Sequence, residues 1–189
     1  MQKLLVFNST SLDGYFADAK GDMSFAHNPE QDAEFTAFTS SNASGEGALL
    51  FGRKTYELME RFWPTPAAAQ AMPEVAAGMN RARKYVFSRT LKSVSWQNVV
   101  LLKGDLVSEV RRLKNEPGGG IAILGSGSIV RQFAEQNLID EYQIMVDPVL
   151  LPRGTPLFDG LKQTLDLKLV KRTTFQSGVI LLSYRPASC

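Results

Sequence analysis

Short apolar runs alternate with longer mixed segments along most of the chain. Such runs are typical of buried strands, and apolar positions three or four residues apart are typical of helices. Strands that are apolar throughout and separated by helices indicate a parallel sheet covered on both faces. We therefore expect a three-layer αβα fold with a mostly parallel sheet. The predicted strands are 3–7, 48–51, 84–87, 98–102, 121–124 and 141–146, and an antiparallel hairpin joining 165–174 to 179–184 closes the chain.

Four helices are expected between these strands. Asn28 can cap a helix that runs to Ser40, with Pro29 at its first position, and Asp105 can cap one that ends near Asn115. The other two cover 54–61 and the stretch from the glycines at 125–127 to Gln136. Residues 64–77 are expected to be a connection with one short helix, and residues 152–156 a loop.

Composition excludes several classes of protein. With 189 residues, 44% of them hydrophobic, the chain suits one domain with a sizeable core, so we expect residues 1–189 to form a single domain. One cysteine, Cys189, and one histidine, His27, leave no internal disulfide framework and no Cys-based or multi-His metal site. A net charge of +2 does not indicate nucleic acid as a partner. No apolar run reaches a membrane span and no signal peptide is evident, so we expect a cytoplasmic protein.

Three strand ends carry unusual residues. The strand 48–51 ends at Gly52, and the next helix begins with Arg53, Lys54 and Thr55. Cations at a helix N-terminus oppose its dipole unless an anion is bound there, and a phosphate is the natural anion. The alternative is a solvated turn.

The second strand end is Gly125-Ser126-Gly127-Ser128, which follows the strand 121–124. Its glycines allow a close backbone approach to a pyrophosphate, although a tight strand-to-helix turn would need the same residues. The third is Ser88-Arg89 after the strand 84–87. Sites for NADP use cations and hydroxyls where NAD sites place an acid, so these residues favour NADPH, with ordinary loop polarity as the alternative.

The candidates for acid–base chemistry are two aspartates. Asp13 precedes Gly14 in the segment that follows the first strand, where a plain Asp-Gly turn is the alternative. Asp32 lies on the predicted first helix, where a solvated carboxylate is the alternative. Either residue could support the proton transfer that accompanies a reduction.

Several motifs then occur in the order of a known family. They are Ser11-Leu12-Asp13-Gly14, Gly52-Arg53-Lys54-Thr55-Tyr56-Glu57, Gly125-Ser126-Gly127, Leu138-Ile139-Asp140-Glu141, Pro148-Val149-Leu150-Leu151 and Gly154-Thr155-Pro156-Leu157-Phe158. The chain resembles the dihydrofolate reductase-like superfamily over nearly its whole length. Within it, the chain is most similar to the reductase domain of bacterial riboflavin-biosynthesis deaminase-reductases.

The resemblance implies a hydride transfer from NADPH to a small heterocyclic substrate, in a protein that is commonly a homodimer. It assigns the cofactor's phosphates to Gly52, Arg53, Lys54, Thr55, Ser88 and Arg89, the pyrophosphate turn to Gly125, Ser126, Gly127, Ser128 and Ile129, and a nearby loop position to Thr155. It places Asn8, Ser11, Asp13 and Gly14 beside the nicotinamide and the substrate.

Two departures from the family keep other readings open. Alignment on Pro29 puts Gln31 where dihydrofolate reductases have their acid, and Asp32 one residue later, which is a rotation of roughly 100° on a helix. The chain also has too few cysteines and histidines to supply the ligands that a zinc deaminase needs. The leading hypothesis is an NADPH-dependent reductase, possible substrates including a ribosylamino-pyrimidine of riboflavin synthesis. The alternatives are a non-catalytic nucleotide- or heterocycle-binding domain and a dihydrofolate reductase proper.

Overall fold

Apolar strands and helices alternate in a three-layer α/β fold with a mostly parallel central sheet, as the sequence predicts. The structure is a computed structural model, and it describes residues 1–27 and 32–187. The chain divides into two compact units: residues 1–3 with 37–126, and residues 4–36 with 127–189. The strands are β1 (Leu4–Ser11), β2 (Tyr15–Asp18), β3 (Ala48–Gly52), β4 (Lys84–Phe87), β5 (Val99–Leu102), β6 (Ile121–Leu124), β7 (Glu141–Asp147), β8 (Gly154–Pro156), β9 (Leu167–Thr174) and β10 (Ile180–Pro186). The helices are α1 (Ala33–Ser44), α2 (Arg53–Phe62), α3 (Pro66–Ala71), α4 (Pro73–Arg81), α5 (Leu106–Asn115) and α6 (Gly127–Glu135).

The first unit contains four parallel strands in the order β5-β4-β3-β6. Its core is aromatic, because Phe51 stacks on Trp96 with ring centroids 6.2 Å apart and Tyr56 and Trp63 are buried with them. The Asp105 cap of α5 is confirmed, since its side chain accepts a hydrogen bond from the backbone N–H of Ser108.

The connection before β4 is more regular than expected. It holds two helices, α3 and α4, rather than one, and each begins with a proline at its first turn. Alanine has the highest helix propensity, and proline is well suited to a first helical position, so the Ala- and Pro-rich composition favours short helices here.

The second unit pairs β1 with β7 in parallel and continues through β10 to β9 in antiparallel pairs. The closing hairpin is thereby confirmed. A small antiparallel sheet of β2 and β8 was not predicted, so the expectation of a loop over 152–156 is wrong at Gly154–Pro156. Helix α1 begins at Ala33, and the predicted cap Asn28 and first residue Pro29 lie outside the described residues.

Candidate active site

The carboxyl ends of β3, β4 and β6 meet at one edge of the first unit's sheet. Gly52 lies opposite Phe87 in the register of β3 and β4, and Leu50 lies opposite Ile123 in that of β3 and β6. The three strand ends that the sequence singled out are therefore neighbours. We call Gly52, Thr55, Ser88, Gly125 and Ser126 the phosphate cluster.

Ser126 joins two of these strand ends. Its Oγ accepts a hydrogen bond from the backbone N–H of Gly52 at 2.7 Å and lies 3.0 Å from Oγ1 of Thr55. Gly125 and Ser126 are consecutive left-handed residues, with φ of +56° and +60°. A serine in this region is uncommon, and strained backbone of this kind is concentrated at ligand sites. A Cβ on Gly125 would lie 2.8 Å from Oγ1 of Thr55, so glycine is required for this approach.

The N-terminus of α2 is open to an anion. Its N-cap residue is Gly52, and no side chain caps it. Arg53 and Lys54 are exposed in the first turn, and Arg53 forms an ion pair with Glu57 at 3.1 Å on the surface. Uncapped N–H groups, the helix dipole and two cations together favour a phosphate at this position.

At the end of β4, Ser88 shapes the loop and Arg89 is exposed. The Oγ of Ser88 accepts hydrogen bonds from the backbone N–H groups of Thr90 at 3.2 Å and Leu91 at 3.0 Å. Hydrogen bonds from Ser108 hold the pKa of Asp105 below its usual value, and the charge of Arg89 lowers it further. The charge of Arg89 thus acts on Asp105, the cap of α5, and the sequence of the β4 end does not reveal this interaction.

The other predicted cofactor residues lie in the second unit. Gly127 begins α6, and a Cβ there would lie 3.1 Å from the backbone oxygen of Leu157. Ser128 is exposed, whereas the Ile129 side chain is buried in the core. Thr155 is exposed on β8 rather than in a loop. Ile129 could therefore contact a ligand only through its backbone.

Polar residues are buried at the carboxyl end of β1. Asn8, Ser9, Thr10 and Ser11 are each at most 7% exposed. Buried polar groups require hydrogen-bond partners, and open α/β sheets bind their ligands at the carboxyl ends of their strands. Asn8 and Ser11, predicted to bind substrate, both belong to this set.

A tight turn follows β1. The backbone N–H of Gly14 donates to the oxygen of Ser11 at 2.9 Å, and Gly14 has φ of +88°. The Asp13 Oδ1 accepts a long hydrogen bond from the N–H of Leu151 at 3.3 Å. A hydrogen bond from Ser11 is the main cause of a lowered pKa at Asp13. Its carboxylate is consequently ionised near neutral pH, which does not favour it as a proton donor.

Asp32 acts as the cap of α1. Its Oδ1 accepts from the N–H of Phe35 at 2.9 Å, and its Oδ2 accepts from the N–H of Ser177 at 2.8 Å, in the turn between β9 and β10. These bonds, with that to Phe35 first, lower its pKa. The geometry therefore gives Asp32 a structural role, and its proposed part in catalysis stays a prediction. It is also buried, unlike the solvated carboxylate that was the alternative. Gln31 lies outside the described residues.

Sequence reasoning missed one carboxyl at this end of the unit. Asp147 ends β7, opposite Ser11 of β1, and is 6% exposed. Burial raises its pKa to about 6, and a hydrogen bond with Ser9 partly offsets that rise. An acidic residue between the predicted strand 141–146 and Pro148 was the one local signal.

The family model for the RibD C-terminal domain matches residues 2–181. The chain belongs to the RibD C-terminal domain family. Membership implies an oxidoreductase and agrees with the resemblance noted from the motifs. No helix within the described part of the chain is long and apolar enough to cross a membrane.

Individual relatives agree with this family. The chain is 30% identical to the uncharacterized protein YyaP of Bacillus subtilis over 97% of its own length and 94% of that protein. It is similar to the crystal structure of a protein provisionally assigned to riboflavin biosynthesis in Shewanella sp. PV-4, with a TM-score of 0.72, 28% identity and coverage of 98% of this chain and 99% of that one. A deaminase/5-amino-6-(5-phosphoribosylamino)uracil reductase from Thermotoga maritima shares the fold at 15% identity and a TM-score of 0.67, over 98% of this chain and 57% of that one.

Proposed function

We propose that the chain is an NADPH-dependent reductase that transfers a hydride to a small heterocyclic substrate. The observation that carries this proposal is the phosphate cluster, where two consecutive left-handed residues and an uncapped helix N-terminus lie at adjoining strand ends. Membership in the RibD C-terminal domain family supports a reductase over a domain that only binds nucleotides.

The phosphate cluster fits a dinucleotide by its chemistry. Gly125 has no room for a side chain, so backbone N–H groups can approach a pyrophosphate there. Arg53 and Lys54 would offset phosphate charge, and Ser88 and Arg89 would receive a 2′-phosphate. When bound, the cofactor supplies the hydride from its nicotinamide, and the protein supplies orientation and electrostatics.

The buried polar end of β1 is the proposed place for the substrate. Asn8 and the turn at Asp13–Gly14 offer amide and backbone groups that can pair with the edge of a heterocycle. Ser11 would bind the substrate by shaping this turn, since its Oγ accepts a hydrogen bond from the N–H of Tyr15 at 3.0 Å. The substrate we propose is a ribosylamino-pyrimidine of the kind named for the Thermotoga protein. Reduction of dihydrofolate is less well supported, because Asp32 is engaged by two backbone N–H groups.

We also propose that residues 1–189 work as a single domain and that the protein is a homodimer in the cytoplasm. The edge strand β9 is exposed along most of its length and carries the exposed apolar residues Leu167, Leu169 and Val170. Exposed apolar edges of this kind are typical of interfaces. Light scattering of the wild type should give twice the mass of one chain, and the Leu169→Glu variant should have the mass of a single chain. A wild type with the mass of a single chain would contradict the dimer.

Substitution of Arg89 tests the cofactor assignment. Arg89→Glu should weaken NADPH binding at least about tenfold, because a charge-assisted contact worth roughly 1.5–3 kcal/mol becomes a repulsion. NADH binding should change by less than about twofold. Arg111→Glu, which reverses an exposed charge on α5 outside the phosphate cluster, is the matched control. Equal losses for both cofactors would overturn the 2′-phosphate assignment.

A further inference from the structure

The carboxyl group of Asp147 is buried and incompletely satisfied. Its Oδ2 atom is covered from solvent and has no hydrogen-bond partner among residues 1–27 and 32–187. The hydroxyl of Ser9 hydrogen-bonds the carboxyl. An unsatisfied buried oxygen costs free energy, and native proteins retain such groups mainly where they serve a ligand, a proton or a water.

The position of Asp147 links it to the proposed substrate region. It lies opposite Ser11 at the carboxyl ends of two parallel strands, where open α/β sheets bind their ligands. Ser9 lies two residues before Ser11, and therefore on the same face of β1. The segment after Asp147 is joined to the turn after β1, since the N–H of Leu12 donates to the oxygen of Val149 at 2.9 Å.

The pKa of Asp147 is raised, whereas those of the other two aspartates of this region are lowered. The pKa values of Asp13 and Asp32 are lowered, by hydrogen bonds from Ser11 and from the Phe35 backbone respectively, so both are ionised near pH 7. Burial raises the pKa of Asp147 to about 6. In the strands that pair with β7, β1 carries the hydroxyls of Ser9 and Ser11 near Asp147, and β10 begins with apolar Ile180 and Leu181. No charged side chain of the described residues is among the causes of its shift.

We propose that Asp147 is a positioning residue. It holds the proton that the reduction requires and passes it to the hydroxyl of Ser9. The inference rests on the proposed function. Reduction of a C=N bond adds a hydride to carbon, supplied by reduced nicotinamide, and a proton to nitrogen. The Ser9 hydroxyl gives its proton to the nitrogen and takes the proton of Asp147. The carboxylate left behind is reprotonated from water.

Two variants test the proposal through the pH profile of NADPH oxidation with 5-amino-6-(5-phosphoribosylamino)uracil. Wild-type kcat/KM should fall about tenfold per pH unit above the pKa of Asp147. Asp147→Asn should be at least about tenfold slower and should lack this limb. Ser9→Ala should also be at least about tenfold slower, because it removes the hydroxyl that passes the proton on, and the limb of its remaining activity should lie at higher pH, because the bond that lowers the pKa of Asp147 is lost. Asp159→Asn, an exposed carboxylate, is the control and should keep the wild-type profile.

A second readout needs no cofactor. Because the folded pKa of Asp147 is above its unfolded value, the proton stabilises the fold fully below about pH 4 and less as the pH rises through about 6. The urea midpoint of the wild type, relative to that of Asp147→Asn, should decline over this range. Parallel midpoints, or a wild-type pH–rate limb in Asp147→Asn, would overturn the proposal while leaving the reductase intact. Absence of NADPH binding would instead overturn the proposed function, and this inference with it.

Discussion

Gly125→Ala tests the geometry of the phosphate cluster most sharply. The substitution adds one methyl group at a residue with φ of +56°, and the new Cβ would lie 2.8 Å from Oγ1 and 3.1 Å from Cγ2 of Thr55. Thr55 is β-branched and its hydroxyl lies 3.0 Å from Ser126 Oγ, so it cannot move away without breaking that contact.

The expected cost has two parts. A non-glycine residue in the left-handed region costs roughly 1–2 kcal/mol. Forcing a methyl group into a packed contact costs about 1–3 kcal/mol more. We therefore expect Gly125→Ala to lower the free energy of unfolding by roughly 2–5 kcal/mol. NADPH affinity should fall as well, since the backbone of this turn is the proposed pyrophosphate contact.

Urea unfolding followed by circular dichroism measures this loss in the free energy of unfolding. Two further variants separate the backbone part from the packing part. Gly21 has φ of +83° and open space where a Cβ would lie. Gly21→Ala should therefore lose only the free energy that the left-handed backbone costs. Adding Thr55→Ala to Gly125→Ala removes both close atoms and should recover the packing part, about 1 kcal/mol or more. A Gly125→Ala protein as stable as the wild type, or no recovery in the double variant, would refute the reasoning.

Two further predictions concern buried charges. Burial lowers the pKa of Lys84 to about 8, although its Nζ donates to the backbone oxygens of Asn80 and Ala82 and lies 4.5 Å from the Trp96 ring centroid. Between about pH 8 and 10.5 the Lys84 amine is protonated in the unfolded chain but not in the folded one. The free energy of unfolding should therefore rise over this range by up to about 3 kcal/mol, and in urea titrations Lys84→Met should abolish the rise. Asp32→Ala should lower Tm by a few degrees because two backbone N–H groups lose their acceptor; an unchanged Tm with lost turnover would instead favour the catalytic role.

The strand ends were predictable because their signals are local. An apolar run followed by glycine and a helix can be read directly in the sequence, and the rules for parallel sheets bring such ends to one edge. The Asp105 cap was predictable for the same reason, since it depends on a contact three residues away. The pairing of Gly52 with Ser126 was not, because it joins residues 74 positions apart.

The proton-holding candidate was missed for a related reason. The state of Asp147 is set by its burial between strands and by Ser9, which is distant in sequence. Asp32 was interpreted as a helix-face carboxylate because the predicted helix began at Asn28, whereas α1 begins at Ala33 and makes Asp32 its cap. The sheet of β2 and β8 escaped prediction because its strands are short and its pairing is long-range.

The most direct test of the central claim is a titration of the wild-type protein with NADPH and, separately, with NADH. Tryptophan fluorescence and Tm report binding without any assumption about the substrate. We predict saturable NADPH binding that raises Tm, with NADH weaker by about tenfold or more as expected for a lost 2′-phosphate contact. No change in fluorescence or Tm at millimolar NADPH would contradict the proposed function.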